Sequence, residues 1–376
     1  MSYTLHHYRT AGDLPENWNS VIGKHNIMLS GEYFKVLETS APDNMQCFFI
    51  GFFKQEQLIG GALVQYLDFL KHKTFQKNEI GYGLKNRIAR TFSRDIMILG
   101  NNMLTGQNGF YFDVTEITVD EIIRMLEKAV QHMQKEVRKT SLIIYKDYRP
   151  AFADLFQKHR PGYFRFSVQP NMILNLQEHW KTFEDYLGDF STKYRTRART
   201  ARKKLSGTEK RELHAGDIKK YAQEMNLLYQ HVAEHAAFNT FFLAENHFVS
   251  MKENLGENFK VLGYFSEGLL IGFFTMIINE CDIDTYFLGY DRTCQREKQL
   301  YLNMLLDMVE FSISHRYQRI IFGRTALEIK STVGAEPVEI SGFIRHRNFL
   351  VNLLMKYIFP SVSPRTEWIR RKPFKG

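Results

Sequence analysis

The sequence predicts a mixed-sheet α/β protein assembled from two copies of one unit. Three observations carry that reading: a motif that recurs, an element order that recurs around it, and a length of 376 residues, enough for two cores. The motif is a glycine (Gly51), an aromatic (Phe52), Phe53, four residues, then Leu58-Ile59-Gly60. It returns as Gly263, Tyr264, Phe265 and Leu270-Ile271-Gly272 at a constant offset of 212. Each copy is an apolar run, a short polar turn and a second apolar run, which reads as a β-hairpin. The shared spacing implies a shared register.

In the first half, a basic insertion from Lys71 to Arg94 leads to a short strand at Ile96 to Leu99. A loop bearing Gly100, Gly106 and Gly109, a helix from about Val119 to Lys135 and a strand at Ser141 to Tyr145 follow. In the second half, a strand at Asp282 to Tyr290 leads to a polar loop, Asp291 to Gln299. An apolar helix from about Leu300 to His315 and a strand at Arg319 to Gly323 complete the series. The order hairpin, strand, loop, helix, strand thus occurs twice and favours a mixed sheet in each half. The boundary falls near Leu176 to Trp180, giving domains 1–178 and 179–376.

The second half opens with a basic helix, 193–205, started by Ser191 or Thr192 and closed by Gly207. Tyr194, Ala198, Ala201 and Leu205 fall on a stripe about 60° wide, suited to packing on a domain. Lys193, Arg195, Arg197, Arg199, Arg202, Lys203 and Lys204 cover the rest. No acid lies between Lys193 and Lys204 to pair along the helix, so the face is either solvated or meets an anion.

The overall charge supports a local reading. Lys+Arg number 50 against 41 Asp+Glu, a net of +9, yet 193–211 alone carries +8 and 345–376 carries +7. The remaining residues carry −6, so an acidic body bears two basic patches of the kind that meet phosphate, acidic polymers or anionic lipid. The 31 Phe and 19 Tyr exclude intrinsic disorder. Cys47, Cys281 and Cys294 lack metal or redox spacing and read as ordinary thiols of a reducing compartment. Met1 to Trp18 holds no apolar signal region. The longest apolar runs, such as Phe349 to Pro360, are interrupted by Asn352 and Lys356 and fall short of the roughly 20 residues of a membrane span. A cytoplasmic protein with no transmembrane segment is expected, with peripheral contact at the inner face of an anionic membrane left open.

Other motifs are weak. His231-Val-Ala-Glu-His235 has the order of some zinc peptidases, but a helical pair of ordinary histidines is the commoner meaning. Asp282-Ile-Asp284 is a bare D-x-D, and Gly81-Tyr-Gly83 lacks the third glycine of a dinucleotide loop. No metal site is expected.

The duplicated order resembles a tandem acyl-CoA N-acyltransferase (GNAT) fold. The basic helix after Trp180-Lys-Thr-Phe-Glu-Asp-Tyr-Leu resembles that of Fem-type peptidyltransferases and of peptidoglycan biosynthesis or recognition proteins. So does the stretch Ile321-Phe-Gly323-Arg324-Thr325-Ala-Leu-Glu328-Ile-Lys330-Ser331-Thr-Val-Gly334-Ala-Glu336-Pro337, with one residue more in its first gap. The resemblance implies transfer of an acyl group from acyl-CoA or aminoacyl-tRNA, with no tightly bound cofactor, to an amine of an envelope precursor or similar metabolite. GNAT enzymes hold the CoA pyrophosphate on a glycine loop after the fourth strand. Gln295-Arg296-Glu297-Lys298-Gln299-Leu300 has no glycine there, so Arg292, Gln295, Arg296 and Lys298 are the candidate donor-binding side chains.

Glu328 is the candidate acceptor of the amine proton and Lys330, with Arg324, the candidate holder of an acidic group. Pairing of Glu328 with Lys330 is the structural alternative. Tyr290 or Tyr286 would supply a proton to the leaving group, with packing the commoner role. Thr325, Ser331, Arg195 and Arg199 are candidate substrate contacts, and His346, between Arg345 and Arg347, has no assigned role. Two other functions remain. One is a non-catalytic recognition module for an anionic glycan, lipid or RNA. The other is a tRNA or anionic-membrane binder acting through Lys193 to Arg211 and the tail Arg365 to Lys375.

Overall fold

A computed structural model describes residues 3–69, 71, 83, 95–236, 239–362 and 367–375; the insertion expected over Lys71 to Arg94, with Gly81-Tyr-Gly83, falls almost wholly outside them. The strands are β1 (Tyr3–Tyr8), β2 (Met45–Lys54), β3 (Gln57–Asp68), β4 (Asp95–Leu99), β5 (Phe110–Phe112), β6 (Leu142–Tyr148), β7 (Phe164–Phe166) and β8 (Asn171–Asn175). They continue as β9 (Glu209–Glu212), β10 (Phe259–Ser266), β11 (Leu269–Asn279), β12 (Asp282–Tyr290), β13 (Arg319–Gly323), β14 (Glu336–Val338) and β15 (Ser341–His346).

The two hairpins are β2–β3 and β10–β11. Each turns on two residues in the left-handed region, Gln55 (φ 48°) with Glu56 (φ 69°) and Glu267 (φ 52°) with Gly268 (φ 78°). That is the two-residue turn whose twist matches a hairpin. Each also carries a bulge at the same place: Phe52 faces Gly60 while Phe53 faces Leu58, and Tyr264 faces Gly272 while Phe265 faces Leu270. Register and irregularity both repeat at the offset of 212.

The strands form two sheets, ordered β1-β2-β3-β4-β6-β15-β7 with β5 also on β3, and β14-β8-β13-β12-β11-β10-β9. The orders are equivalent position by position, except that β8 and β15 have changed places. In a simple tandem, β8 would lie between β6 and β7, and β15 between β13 and β14. Both are short apolar runs, Met172-Ile173-Leu174 and Gly342-Phe343-Ile344, so either suits a slot flanked by strands on both sides. The compact units are accordingly discontinuous. One is Met1–Val168, Ala236–His247 and Glu339–Arg365; the other is Gln169–His235, Phe248–Val338 and Thr366–Gly376. This division differs from the single cut at 178/179 drawn from the sequence.

Each sheet carries one long helix between its paired parallel strands. In the first unit Val119–Glu136 is started by Thr118 and Glu121, each side chain bonding the other's backbone N–H. In the second, Leu300–Ser314 is buried along most of its length against Tyr264, Phe274, Met276, Ile283 and Ile320. The basic helix runs Thr192–Lys204, and Ala198, Ala201 and Leu205 of the expected stripe are buried in that same core. Asp291–Gln299, expected as a loop, is a helix over Arg292–Lys298. Asp291 Oδ1 caps it, accepting the N–H groups of Thr293 and Cys294, both at 2.9 Å.

Candidate functional site

The site is the place where β12 and β13 part. Their parallel pairing runs from Asp282–Arg319 to Asp284–Ile321 and stops. Immediately beyond, β12 bulges: Thr285 faces Met276 and Leu288 faces Phe274, leaving Tyr286 and Phe287 opposite Thr275 alone. The buried Thr275 hydroxyl donates to the Phe287 carbonyl at 2.6 Å and fixes the bulge. Among the described residues, those from there to Tyr290 have no strand partner on the β13 side. A backbone edge opened in this way offers N–H groups to a carbonyl oxygen lying between the strands.

Asp284 sits at the root of the parting. Its side chain is buried, Asn279 Nδ2 donates to Oδ2 at 3.4 Å, and Oδ1 has no hydrogen-bond partner among the described residues. Burial pushes its carboxyl up to about 7, placing the group between acid and base at neutral pH. The strand register puts Asp284, Ile277 and Thr275 on one face of the sheet. The helix Ala222–Ala233 covers that face so closely that a Cβ on Gly289 would lie 2.5 Å from the backbone of Leu228 and Tyr229. In the sequence Asp284 shows only as half of a D-x-D pair. Its partner Asp282 is bonded to Arg319 (2.8 Å to Nε), and among the described residues no three metal-ligating side chains gather.

The β13 side of the parting is a strained turn. Gly323, Thr325 and Ala326 have φ of 71°, 69° and 46°, a conformation that costs non-glycine residues energy unless the surroundings hold it. Lys330 holds it. Its buried Nζ donates to the carbonyls of Phe322 (2.6 Å), Arg324 (2.7 Å) and Gly323 (3.4 Å). Desolvation lowers its pKa to about 7. Lys330 therefore positions backbone, and the acidic group expected to meet it is replaced by three carbonyl oxygens. Thr325 N–H donates to Gln169 at 3.2 Å. The buried Ser331 hydroxyl donates to Glu328 O and accepts from Arg371 N–H, so it holds the loop and the tail together. Glu328 pairs with Arg371 (Nη2–Oε1 2.5 Å, Nε–Oε1 3.0 Å), not with Lys330.

The tail expected to bind anions is a strap laid on this loop. Arg370 pairs with Glu336, Lys375 Nζ donates to Gly188 O, and Phe374 packs on Trp180, Tyr186 and Phe190. Gly334, at φ 91°, leaves room for the Phe374 ring, which a Cβ would meet at 2.4 Å. Arg365 lies outside the described residues.

The candidate donor-binding residues follow β12. Tyr290 faces the long helix beside Tyr301, on the opposite side of the sheet from Asp284, and burial raises its hydroxyl pKa. Gln295 Oε1 accepts the Tyr301 N–H at 2.9 Å, so an internal acceptor occupies the start of the long helix, where a glycine loop would leave room for phosphate. Arg292 Nη1 donates to His235 Nε2 at 2.5 Å, while His235 Nδ1 bonds the His231 carbonyl at 2.8 Å. That fixes both His235 nitrogens and removes it from metal binding. Arg296 is exposed, Lys298 is half-buried, and neither makes an ion pair among the described residues.

The basic helix packs on this segment and is partly neutralised by acids distant in sequence. Arg199 meets Glu184 at 3.1 Å, and Arg202 reaches Glu310 (2.8 Å) and the buried Asp307. Arg195 donates to the carbonyls of Gly188 and Phe190, at 3.2 and 2.9 Å. Arg195 thus braces backbone and Arg199 makes a surface pair, while Lys193, Arg197, Lys203 and Lys204 stay exposed without an ion pair among the described residues.

No protein-family model matches the chain, and no curated protein matches it by sequence. Solved structures do. A crystal structure of FemX superposes with a TM-score of 0.60 at 12% identity, over 95% of this chain and 100% of that one. A tandem GNAT protein from the clavulanic acid biosynthesis pathway gives 0.51 at 10% identity, over 92% and 99%. The fold is a tandem GNAT fold. At these identities the likeness speaks for architecture, and the chemistry of the second unit rests on its own residues.

Proposed function

We propose that the second unit transfers an acyl or aminoacyl group to an amine at the parting of β12 and β13. Three register-equivalent positions carry the reading, because each is apolar in the first unit and polar in the second. Leu63 corresponds to Thr275 by the offset of 212, and Ile98 to Asp284 and Phe112 to Tyr290 through their β3 and β11 partners. Asp284 would accept the proton of the attacking amine. The amine nitrogen bonds to the acyl carbon, and the edge beyond the Phe287 bulge receives the developing oxyanion. The carbon–sulfur or carbon–oxygen bond to the carrier then breaks, with the Tyr290 hydroxyl as the proton source for the departing group.

The carrier in this reading is polyanionic, an acyl-CoA or an aminoacyl-tRNA. Arg296, Lys298 and the exposed cations Lys193, Arg197, Lys203 and Lys204 are the side chains available to it. The occupied start of the long helix favours a carrier held by side chains over one held in a backbone cradle. The acceptor would be the amine of an envelope precursor. A non-catalytic recognition module is the second reading, supported by the same missing glycines.

The test is single-turnover transfer from labelled acetyl-CoA and from aminoacyl-tRNA to a panel of amines. Asp284→Asn should lower transfer by about 10²- to 10⁴-fold. It should also remove the limb of the pH–rate profile near the Asp284 pKa of about 7. Unaltered transfer by Asp284→Asn would discard the assignment; binding of these ligands with no transfer by the native chain would favour the recognition module. Stability gives an independent readout. The folded carboxyl titrates at about 7 against 3.8 for the free group, so its contribution is complete below 3.8 and is lost as pH rises through 7. Asp284→Asn should abolish that decline in a melting series from pH 4 to 8.

A further inference from the structure

The helix Phe349–Val362, in the first unit, has one face fixed and one face exposed among the described residues. Asn348 starts it, with Oδ1 accepting the N–H groups of Leu350 (2.9 Å) and Val351 (3.2 Å). On the inner face Met355 is buried, Phe359 packs on Phe166 with ring centres 4.4 Å apart, and Asn352 donates to Gly162 O while accepting from His346 N–H. These contacts fix which side points outward. That side presents Phe349, Leu350, Leu353, Leu354 and Tyr357, exposed by 71, 70, 54, 51 and 66%. At 100° per residue they form one stripe about 140° wide.

The rim of the stripe is cationic. Lys356 lies at its edge, its Nζ 5.0 Å from the Tyr357 ring, and exposed Arg347 precedes the helix. Between Glu339 and Glu367 the chain contains no Asp or Glu. A second copy docked face to face about a two-fold axis would bring these like charges together. An acyl-chain boundary beneath anionic headgroups satisfies both the apolar stripe and its rim. The helix has 14 residues, about 21 Å, too short to cross a hydrocarbon core of about 30 Å. Its geometry suits lying in the plane of the interface.

We propose that the Phe349–Tyr357 face docks this protein on the surface of an anionic lipid bilayer. The proposal does not depend on the transferase reading. It is tested by flotation of the full chain with vesicles of phosphatidylcholine alone and of phosphatidylcholine with phosphatidylglycerol in a three-to-one mixture. The native chain should float with the anionic vesicles. Leu353→Glu combined with Leu354→Glu should lower the partition coefficient by at least about tenfold, because both side chains lose apolar transfer. Lys356→Gln should lower it by about fivefold on anionic vesicles and leave phosphatidylcholine unaffected. All three positions are solvent-exposed, and an unchanged melting temperature checks that the variants fold. Failure of the native chain to float, or undiminished flotation of the double variant, overturns the proposal. A dimer in sedimentation that the glutamates dissolve, without vesicle binding, overturns it in favour of a second copy.

Discussion

The two units use the same hairpin, the same bulge and the same strand order, yet differ where their central strands part. In the second unit two residues, Tyr286 and Phe287, separate the parts of β12 that pair with β11. In the first unit ten residues, Gly100 to Gly109, separate β4 from β5, which together pair with β3 as β12 pairs with β11. That longer excursion is stitched to the end of β6. Lys146 Nζ donates to Leu104 O at 2.7 Å, the Gly106 N–H donates to Asp147 Oδ2 at 3.1 Å, and Lys146 and Asp147 pair with each other. The duplicated scaffold thus has one copy whose parting is closed by its own backbone. The other copy keeps a short bulge, a buried carboxyl and a tyrosine.

The comparison extends to the long helices. Each buries a carboxylate, but Glu127 in the first unit accepts from two tyrosine hydroxyls, Tyr145 (2.9 Å) and Tyr163 (3.0 Å), with Arg160 and Arg345 3.8 Å away. Asp307 in the second accepts directly from Arg202, Lys210 and the Tyr264 hydroxyl. Truncating Asp307 strands the buried Tyr264 hydroxyl and removes the partner of two partly exposed cations, and should cost about 2–3 kcal/mol. Glu127→Gln keeps a hydrogen-bond acceptor and should cost about 1–2 kcal/mol. Denaturant unfolding of both variants measures the gap, and equal costs would remove this distinction between the units.

An effect of similar size is expected at the strand positions facing each hairpin. Gly289 lies against the backbone of Leu228 and Tyr229, whereas the first unit has Tyr111 at the equivalent place, opposite Gly61. Gly289→Ala should cost about 1–3 kcal/mol through overpacking, and Tyr111→Phe within about 0.5 kcal/mol. The smallest effect concerns the basic helix. Arg199 and Glu184 are both largely exposed, so Arg199→Ala should change stability by at most about 0.5 kcal/mol. A larger loss would make Arg199 part of the scaffold to the same degree as Arg202.

Much of the scaffold is legible in the chain. The offset of 212 locates both hairpins, and Asp282–Tyr290 and Arg319–Gly323 match their expected bounds. Signals for other features are present but ambiguous. Asp291 is a good helix cap as well as a good loop residue, and here the cap prevails. The candidate site was legible only in outline. Asp284 is one acid among 41 Asp+Glu, distinguished by burial that no local pattern records. Glu328 and Lys330 stand two residues apart and invite pairing, but on a short helix they point to different neighbours: Arg371 outside, and carbonyls within.

The sequence by itself determines the repeated unit, the apolar stripe of the basic helix and the two concentrations of positive charge. These depend on side-chain periodicity and composition, which act over a few neighbouring residues. Tertiary structure alone decides the exchange of β8 and β15, the acids that neutralise Arg199 and Arg202, and the carboxyl that becomes perturbed. Those outcomes depend on groups brought together from separate segments of the chain. Their energies come from pairing and desolvation, which exist only once the distant partner is in place.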